Sequence, residues 1–152
     1  MANPQCCSPL VDKTPTVRCW MTPQIVTIGL DATLRDAQRI FEKRRFHHLI
    51  VLDNETPVGV ISDRDLLKHI SPFVGVRISE RAQDVRTLSK RIHQIMTRTL
   101  ISISPDVAVA EAARRMIESR VSCLPVIDES GRMIGIITMR DLLRWAIVAS
   151  GQ

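Results

Sequence analysis

The sequence predicts an α/β (α+β) fold made of two β-α-β-β-α units, and three observations carry the prediction. Gly59 to Leu67, read GVISDRDLL, returns near the end of the 152-residue chain as Gly135 to Leu143, GIITMRDLL. The likeness extends well outside that stretch. Met96-Thr97 follows Met21-Thr22 by 75 positions, and Leu124-Pro125-Val126-Ile127-Asp128 answers Leu49-Ile50-Val51-Leu52-Asp53. Within each copy, short β-type runs alternate with stretches of helical period. A helix pair can cover one face of a small sheet, and two such sheets can pack about a pseudo-twofold axis to bury their aliphatic residues.

The elements follow in order. Residues 1–18 carry Pro4, Pro9 and Pro15 without periodicity and are expected to be a flexible leader. The first repeat, 19–70, opens at Trp20-Met21-Thr22 and continues with a β-type run, Ile25 to Ile28. Thr33, with Asp36 three residues on, starts a helix whose apolar face is Leu34, Ala37, Ile40 and Phe41. Lys43, Arg44 and Arg45 place positive charge at its C-terminal end. Strands His48 to Leu52 and Val58 to Ile61 form a hairpin, and a second helix runs from Asp65 to about Ile70. Ser71-Pro72 stops it. Residues 71–94 read as a connector, weakly helical from Ser79 to Arg91. The second repeat, 95–150, supplies a β-type run at Leu100 to Ile103. Its helical face is Val109, Ala112, Ala113, Met116 and Ile117, and its last helix runs from Asp141 to about Ala149. The second hairpin turn is one residue longer, so Gly135 follows Gly59 by 76 positions.

The repeated stretch describes a strand that ends at a hydroxyl and turns straight into a helix. Val60-Ile61 and Ile136-Ile137 suit a buried strand. Ser62 and Thr138 sit where the first helical N–H groups need a partner, and Asp65 and Asp141 fall in the first helical turn. A turn of this kind concentrates free N–H donors and favours anions. Ser-x-x-Asp and Thr-x-x-Asp equally fit a capping box, in which the acid reaches back to the N-cap amide. A glycine inside a strand marks close approach by a ligand or by another backbone.

Composition narrows the function classes. Hydrophobic residues make up 45% and aromatics 3%, with no Tyr, so the core is expected to be aliphatic. So few aromatics argue against nucleic-acid binding by base stacking. The net charge of +5 is spread along the chain, which suits either a phosphate-bearing ligand or a solvated basic surface. Cys6, Cys7, Cys19 and Cys123 form no Cys-x-x-Cys pair, which points to free thiols in a reducing compartment. Neither a signal peptide nor a membrane-length apolar run is visible, so a soluble cytoplasmic protein is expected. The sequence offers no nucleophile–base pair, metal cluster or phosphate-binding Gly-x-x-x-x-Gly-Lys-Ser/Thr loop, and it is read as a non-enzyme.

The two Met-Thr openings, the Leu-Pro-Val-Ile-Asp run and the doubled Gly-h-h-Ser/Thr-x-x-Asp stretch (h is hydrophobic) resemble a tandem of cystathionine-β-synthase (CBS) domains, the Bateman module. The resemblance covers about Cys19 to Ala149. It implies a cleft between the repeats that binds AMP, ADP, ATP or a related compound such as S-adenosylmethionine or NAD, with no cofactor required. It makes Ser62 and Thr138 phosphate contacts and Asp65 and Asp141 ribose contacts. Ile25, Val26, Leu100 and Ile101 would line the adenine pocket, and Pro125 is placed in the nucleotide site with them. His47 holds a position that often reaches phosphate in the family. Its counterpart is Ser122, so Arg64 and Arg140 are candidates to supply the missing charge. The family also pairs two modules into a homodimer through the signature-bearing helices, consistent with Leu66, Leu67, Leu142, Leu143 and Trp145. The expected function is a regulatory sensor of an adenosine nucleotide that alters a surface read by another protein. The alternative is a ligand-free dimerising scaffold.

Overall fold

The computed structural model describes residues 14–43, 47–76 and 81–151. Residues 1–13 of the expected leader, and Arg44 and Arg45 at the first helix end, lie outside them. The elements are α1 (Val17–Trp20), β1 (Thr27–Gly29), α2 (Leu34–Lys43), β2 (His48–Asp53), β3 (Thr56–Ser62) and α3 (Asp63–His69). The connector contributes α4 (Ala82–Thr87) and a 3-10 turn, Ile92–Gln94. Then come α5 (Val109–Ser119), β4 (Cys123–Ile127), β5 (Met133–Thr138) and α6 (Met139–Ala149).

The chain divides into two compact units. One is Val26–Leu100; the other takes the chain through Ile25 together with Ile101 onward. The first-repeat unit, Val26–Leu100, holds a three-stranded sheet in which β1 runs parallel and β3 antiparallel to β2. Its core is Ile28, Leu34, Ala37, Leu49, Val51, Ile61, Leu66, Ile92 and Met96. The second-repeat unit pairs β4 with β5. Its core is Val17, Ile103, Val109, Ala112, Met116, Leu124, Val126, Ile137 and Leu142. Both cores are aliphatic, as the composition predicts. Val17, near the end of the expected leader, is fully buried. Beside it, the Arg18 guanidinium pairs with Asp106 at 3.1 Å.

Local chemistry explains the ends of the elements. Thr33 caps α2: its hydroxyl and amide donate to Asp36 Oδ2 at 2.6 and 2.9 Å, and the Asp36 amide returns to the hydroxyl at 3.4 Å. The first hairpin turns at Asn54, whose φ of 54° suits an Asn. The longer second turn uses Gly131 at φ 80°, where a side chain would be strained.

Two expectations need correction. Leu100 to Ile103 is not a strand among the described residues; it is reduced to a single parallel bridge, Ile103 to Val126. The reason is proline. In the first-repeat unit the Ile50 amide donates to the Val26 carbonyl at 3.3 Å. The equivalent residue is Pro125, which has no N–H to give. Ile117, expected on the buried face of α5, is 71% exposed; Val109, Ala112 and Met116 hold that helix to the core, with the half-buried Ala113 packed against it.

The strand glycines are explained by a backbone neighbour. A Cβ built on Gly59 would lie 2.8 Å from both Met96 Sδ and the Thr97 carbonyl oxygen. On Gly135 it would lie 2.8 Å from Met21 Sδ and 3.0 Å from the Thr22 carbonyl oxygen. Thr97 exchanges two hydrogen bonds with Val60, at 2.9 and 3.0 Å, and Thr22 exchanges two with Ile136, at 2.8 and 3.0 Å. Each Met-Thr opening is therefore seated beside the signature strand of the other sequence repeat. Gly59→Ala is expected to destabilise by about 1–3 kcal/mol. Adding Met96→Ala should not restore the loss, because the Thr97 carbonyl stays in place; urea unfolding of the single and double variants measures both.

Candidate functional site

In each unit the signature strand delivers its hydroxyl to the start of a helix. Ser62, at the end of β3, donates its hydroxyl to Asp65 Oδ2 at 2.6 Å and its amide to the same oxygen at 3.1 Å. The Asp65 amide returns to Ser62 Oγ at 3.2 Å. The other carboxylate oxygen, Oδ1, lies 3.4 Å from the exposed Lys68 ammonium. At the start of α6, Thr138 donates its hydroxyl and amide to Asp141 Oδ2 at 2.7 and 2.9 Å. Asp141 Oδ1 lies 3.7 Å from Arg144 Nη1.

The two copies differ in access. Asp65 keeps 27% of its side-chain surface and Asp141 only 6%. Burial acts to raise the Asp65 pKa, but the hydrogen bonds from Ser62 and the Lys68 charge outweigh it and hold the carboxyl below its usual range. The Thr33 hydroxyl and amide hold Asp36 low as well. Capping geometry alone therefore does not mark a ligand site, since Asp36 has it outside the signature.

The remaining sequence-predicted residues are distributed as follows. His47 Nδ1 lies 2.7 Å from Asp63 Oδ2, and the Asp63 amide donates to the His47 carbonyl at 3.2 Å. The equivalent backbone bond runs from the Met139 amide to the Ser122 carbonyl at 3.0 Å; with Met139 in place of Asp63, no carboxylate stands there. The Asp63 partner of His47 was not anticipated, although its position inside the signature was legible. Arg64 and Arg140 are exposed beside their aspartates. Val26 falls in the same unit as Ser62 and Asp65, as does Leu100. Ile25, Ile101 and the buried Pro125 fall in the unit of Thr138 and Asp141. Burial lowers the pKa of His48. It pushes the Cys123 thiol up to about 12, so that thiol behaves as a small apolar residue. Among the described residues no group of three or more His, Cys, Asp or Glu could hold a metal ion. No helix of the described residues is long and apolar enough to cross a membrane.

Comparison with known proteins places this geometry. The model of the CBS domain family matches twice, over residues 17–72 and 92–147. A CBS domain-containing protein of Dictyostelium discoideum is 36% identical over 129 residues, covering 84% of this chain and 88% of its own. The inosine-5'-monophosphate dehydrogenase of Methanocaldococcus jannaschii is 31% identical over 79% of this chain, which corresponds to 21% of the enzyme. Among solved structures, CBSX2 in complex with AMP is 28% identical with a TM-score of 0.70, covering 89% of this chain and 98% of its own. A protein with CBS domains from Burkholderia ambifaria is 25% identical with a TM-score of 0.69, covering 86% of this chain and 87% of its own.

The caps generate a stability prediction. Ser62→Ala and Thr138→Ala should each lose about 1 kcal/mol. Asp36 and Asp65 titrate low when folded, so their contribution is present above the unfolded value of about 3.9 and is lost as pH falls through the folded values. His48, whose pKa burial lowers, adds a loss that begins as pH falls through its unfolded value of about 6.5. Urea midpoints should therefore decline gently below about pH 6.5 and more steeply below about pH 4, with a shallower acid limb in Asp65→Asn.

Proposed function

The chain belongs to the CBS domain family, and from that premise we propose that it is a regulatory module that binds an adenosine nucleotide at its signature turns and changes a surface read by another protein. The observation that carries this reading is the AMP complex of CBSX2, a relative similar over nearly its whole length. Ser62 and Thr138 would contact phosphate, with His47, Arg64 and Arg140 adding charge. Asp65 and Asp141 would hold the ribose hydroxyls, with the adenine near Ile25, Val26, Leu100, Ile101 and Pro125. The geometry is compatible with this at Asp65, where Oδ2 serves the cap and Oδ1 faces the long, exposed Lys68. A carboxylate oxygen so placed can accept from a vicinal diol, as acidic residues do in other nucleotide folds. The ligand acts on the partner surface only through its different affinity for two arrangements of the protein. We assign no catalytic step to these residues.

The second reading, a ligand-free scaffold, is favoured by two observations. Both signature aspartates are already satisfied as caps, and the signature-bearing helices expose apolar side chains. Of the residues expected to pair two copies, Leu66 and Leu142 are buried in their own units, while Leu67 and Leu143 are 74% and 65% exposed. Ile147 and Val148 join Leu143 on the surface of α6. These side chains suit a homodimer under either reading.

A thermal-shift panel with AMP, ADP, ATP, S-adenosylmethionine and NAD separates the two. A ligand at a hundredfold its Kd stabilises by about 2.7 kcal/mol, a rise in Tm of roughly 5–10 °C for a chain of this size. The expected result is such a rise with an adenosine compound, lost in Asp65→Ala and kept in Asp36→Ala. Asp36→Ala removes the same capping geometry outside the signature. No rise with any compound points to the scaffold.

A further inference from the structure

The positive charge of the chain is spread along the sequence but divided unevenly between the two units. Residues 26–100 carry thirteen Lys and Arg against nine Asp and Glu; the rest of the chain carries eight against seven. Residues 81–98, from the later part of the connector into the start of the second repeat, hold five Lys and Arg against a single acid, Asp84. That acid is buried, where the Ser71 hydroxyl donates to it at 2.6 Å and the Arg81 amide at 2.8 Å. Arg81, Arg86, Lys90, Arg91 and Arg98 are all exposed. The segment 81–98 therefore shows solvent its cations and hides its carboxylate.

The first turn of α2 lies against this segment. The Leu34 amide donates to the Lys90 carbonyl at 3.0 Å and the Arg35 amide to the Leu88 carbonyl at 3.1 Å. Arg91 is held in place by donating to the Asp31 carbonyl oxygen. The backbone of Arg35 thus meets the segment at Leu88, next to the Leu34 contact with Lys90 and the Thr33 bridge to Arg91, and Arg39 follows one turn along the same helix face. Both are exposed. Among the described residues none of Arg35, Arg39, Lys90 and Arg91 forms an ion pair. Of the nearby acids, Asp36 is engaged by Thr33, and Asp31 lies 3.6 Å from His93.

We propose that this face, centred on Arg35, Arg39, Lys90 and Arg91, is the docking surface for an acidic segment of a partner protein. Asp36 offsets part of the charge of Arg39 and Arg35, but with no ion pair at these four residues among the described ones, three arginines and a lysine still offer charge complementarity to several carboxylates, and guanidinium groups bind carboxylates in bidentate fashion. Such a surface raises the association rate and selects an acidic partner. A duplex is a poorer fit, because proteins that hold DNA commonly neutralise about six to ten phosphates. Single strands are poorer still, because no aromatic platform stands among these four residues. The proposal stands independently of the adenosine reading.

The test is fluorescence anisotropy of a labelled peptide of alternating Glu and Asp, with a Gln/Asn peptide of equal length and a labelled DNA duplex in parallel arms. The full chain is compared with Arg35→Glu/Arg39→Glu/Lys90→Glu and with a control, Arg114→Glu/Arg132→Glu, in the other unit; each is first checked for an unchanged cooperative melt. The expected result is binding of the acidic peptide alone. It should weaken by about tenfold or more in the triple variant, hold in the control, and fall as salt rises from about 0.05 to 0.3 M. Equal binding by the two variants, binding no stronger than that of the Gln/Asn peptide, or preference for the duplex overturns the proposal.

Discussion

The close approach of a Met-Thr segment to a strand glycine is the constraint on which the rest of each unit depends. Thr97 can exchange two hydrogen bonds with Val60 only because Gly59 leaves room for its carbonyl, and Gly135 does the same for Thr22. The methionine that precedes each threonine fills the remaining space with a flexible thioether. With that edge covered, the signature strand can present its other end, the hydroxyl and the helix start, as an ordered turn. Glycine, methionine and hydroxyl thus form one arrangement, although they stand about 40 residues apart in one unit and over 100 in the other.

The turn serves two purposes whose demands conflict. Capping uses one carboxylate oxygen fully, as Ser62 and Thr138 show. Ligand recognition needs the other oxygen to be reachable. Asp65 meets that need better than Asp141, which is nearly enclosed and faces Arg144. Asp36 makes the point from the other side, for it has the same cap outside any signature. What distinguishes a recognition turn is the setting of the free oxygen, along with neighbours such as His47 and Asp63.

Much of this was legible in the sequence. Periodicity and the doubled stretch located most of the helices and both hairpins, and Thr33 with Asp36 marked the first helix start. The glycine already implied a close neighbour, but whether that neighbour was ligand or backbone is a tertiary fact. Nor could the repeat reveal which copy each opening segment joins, because both copies carry the same Met-Thr. The missing strand at Leu100 to Ile103 was legible in principle, since Pro125 stands where Ile50 donates a hydrogen bond. Ile117 misled because helical spacing places it at the margin of a face that Val109, Ala112 and Met116 already fill. The basic face was hidden because its members lie on segments about 55 residues apart.

Native-state hydrogen exchange on the full chain tests the crossed seating of the Met-Thr segments most directly. The amides of Thr22, Val60, Thr97 and Ile136 each donate one of the four exchanged bonds. The account predicts that all four are protected to the same level as the amides of β2 and β4, opening only when the unit unfolds. Exchange of Thr22 and Thr97 at the rate of exposed loops, with the two hairpins still protected, would contradict it.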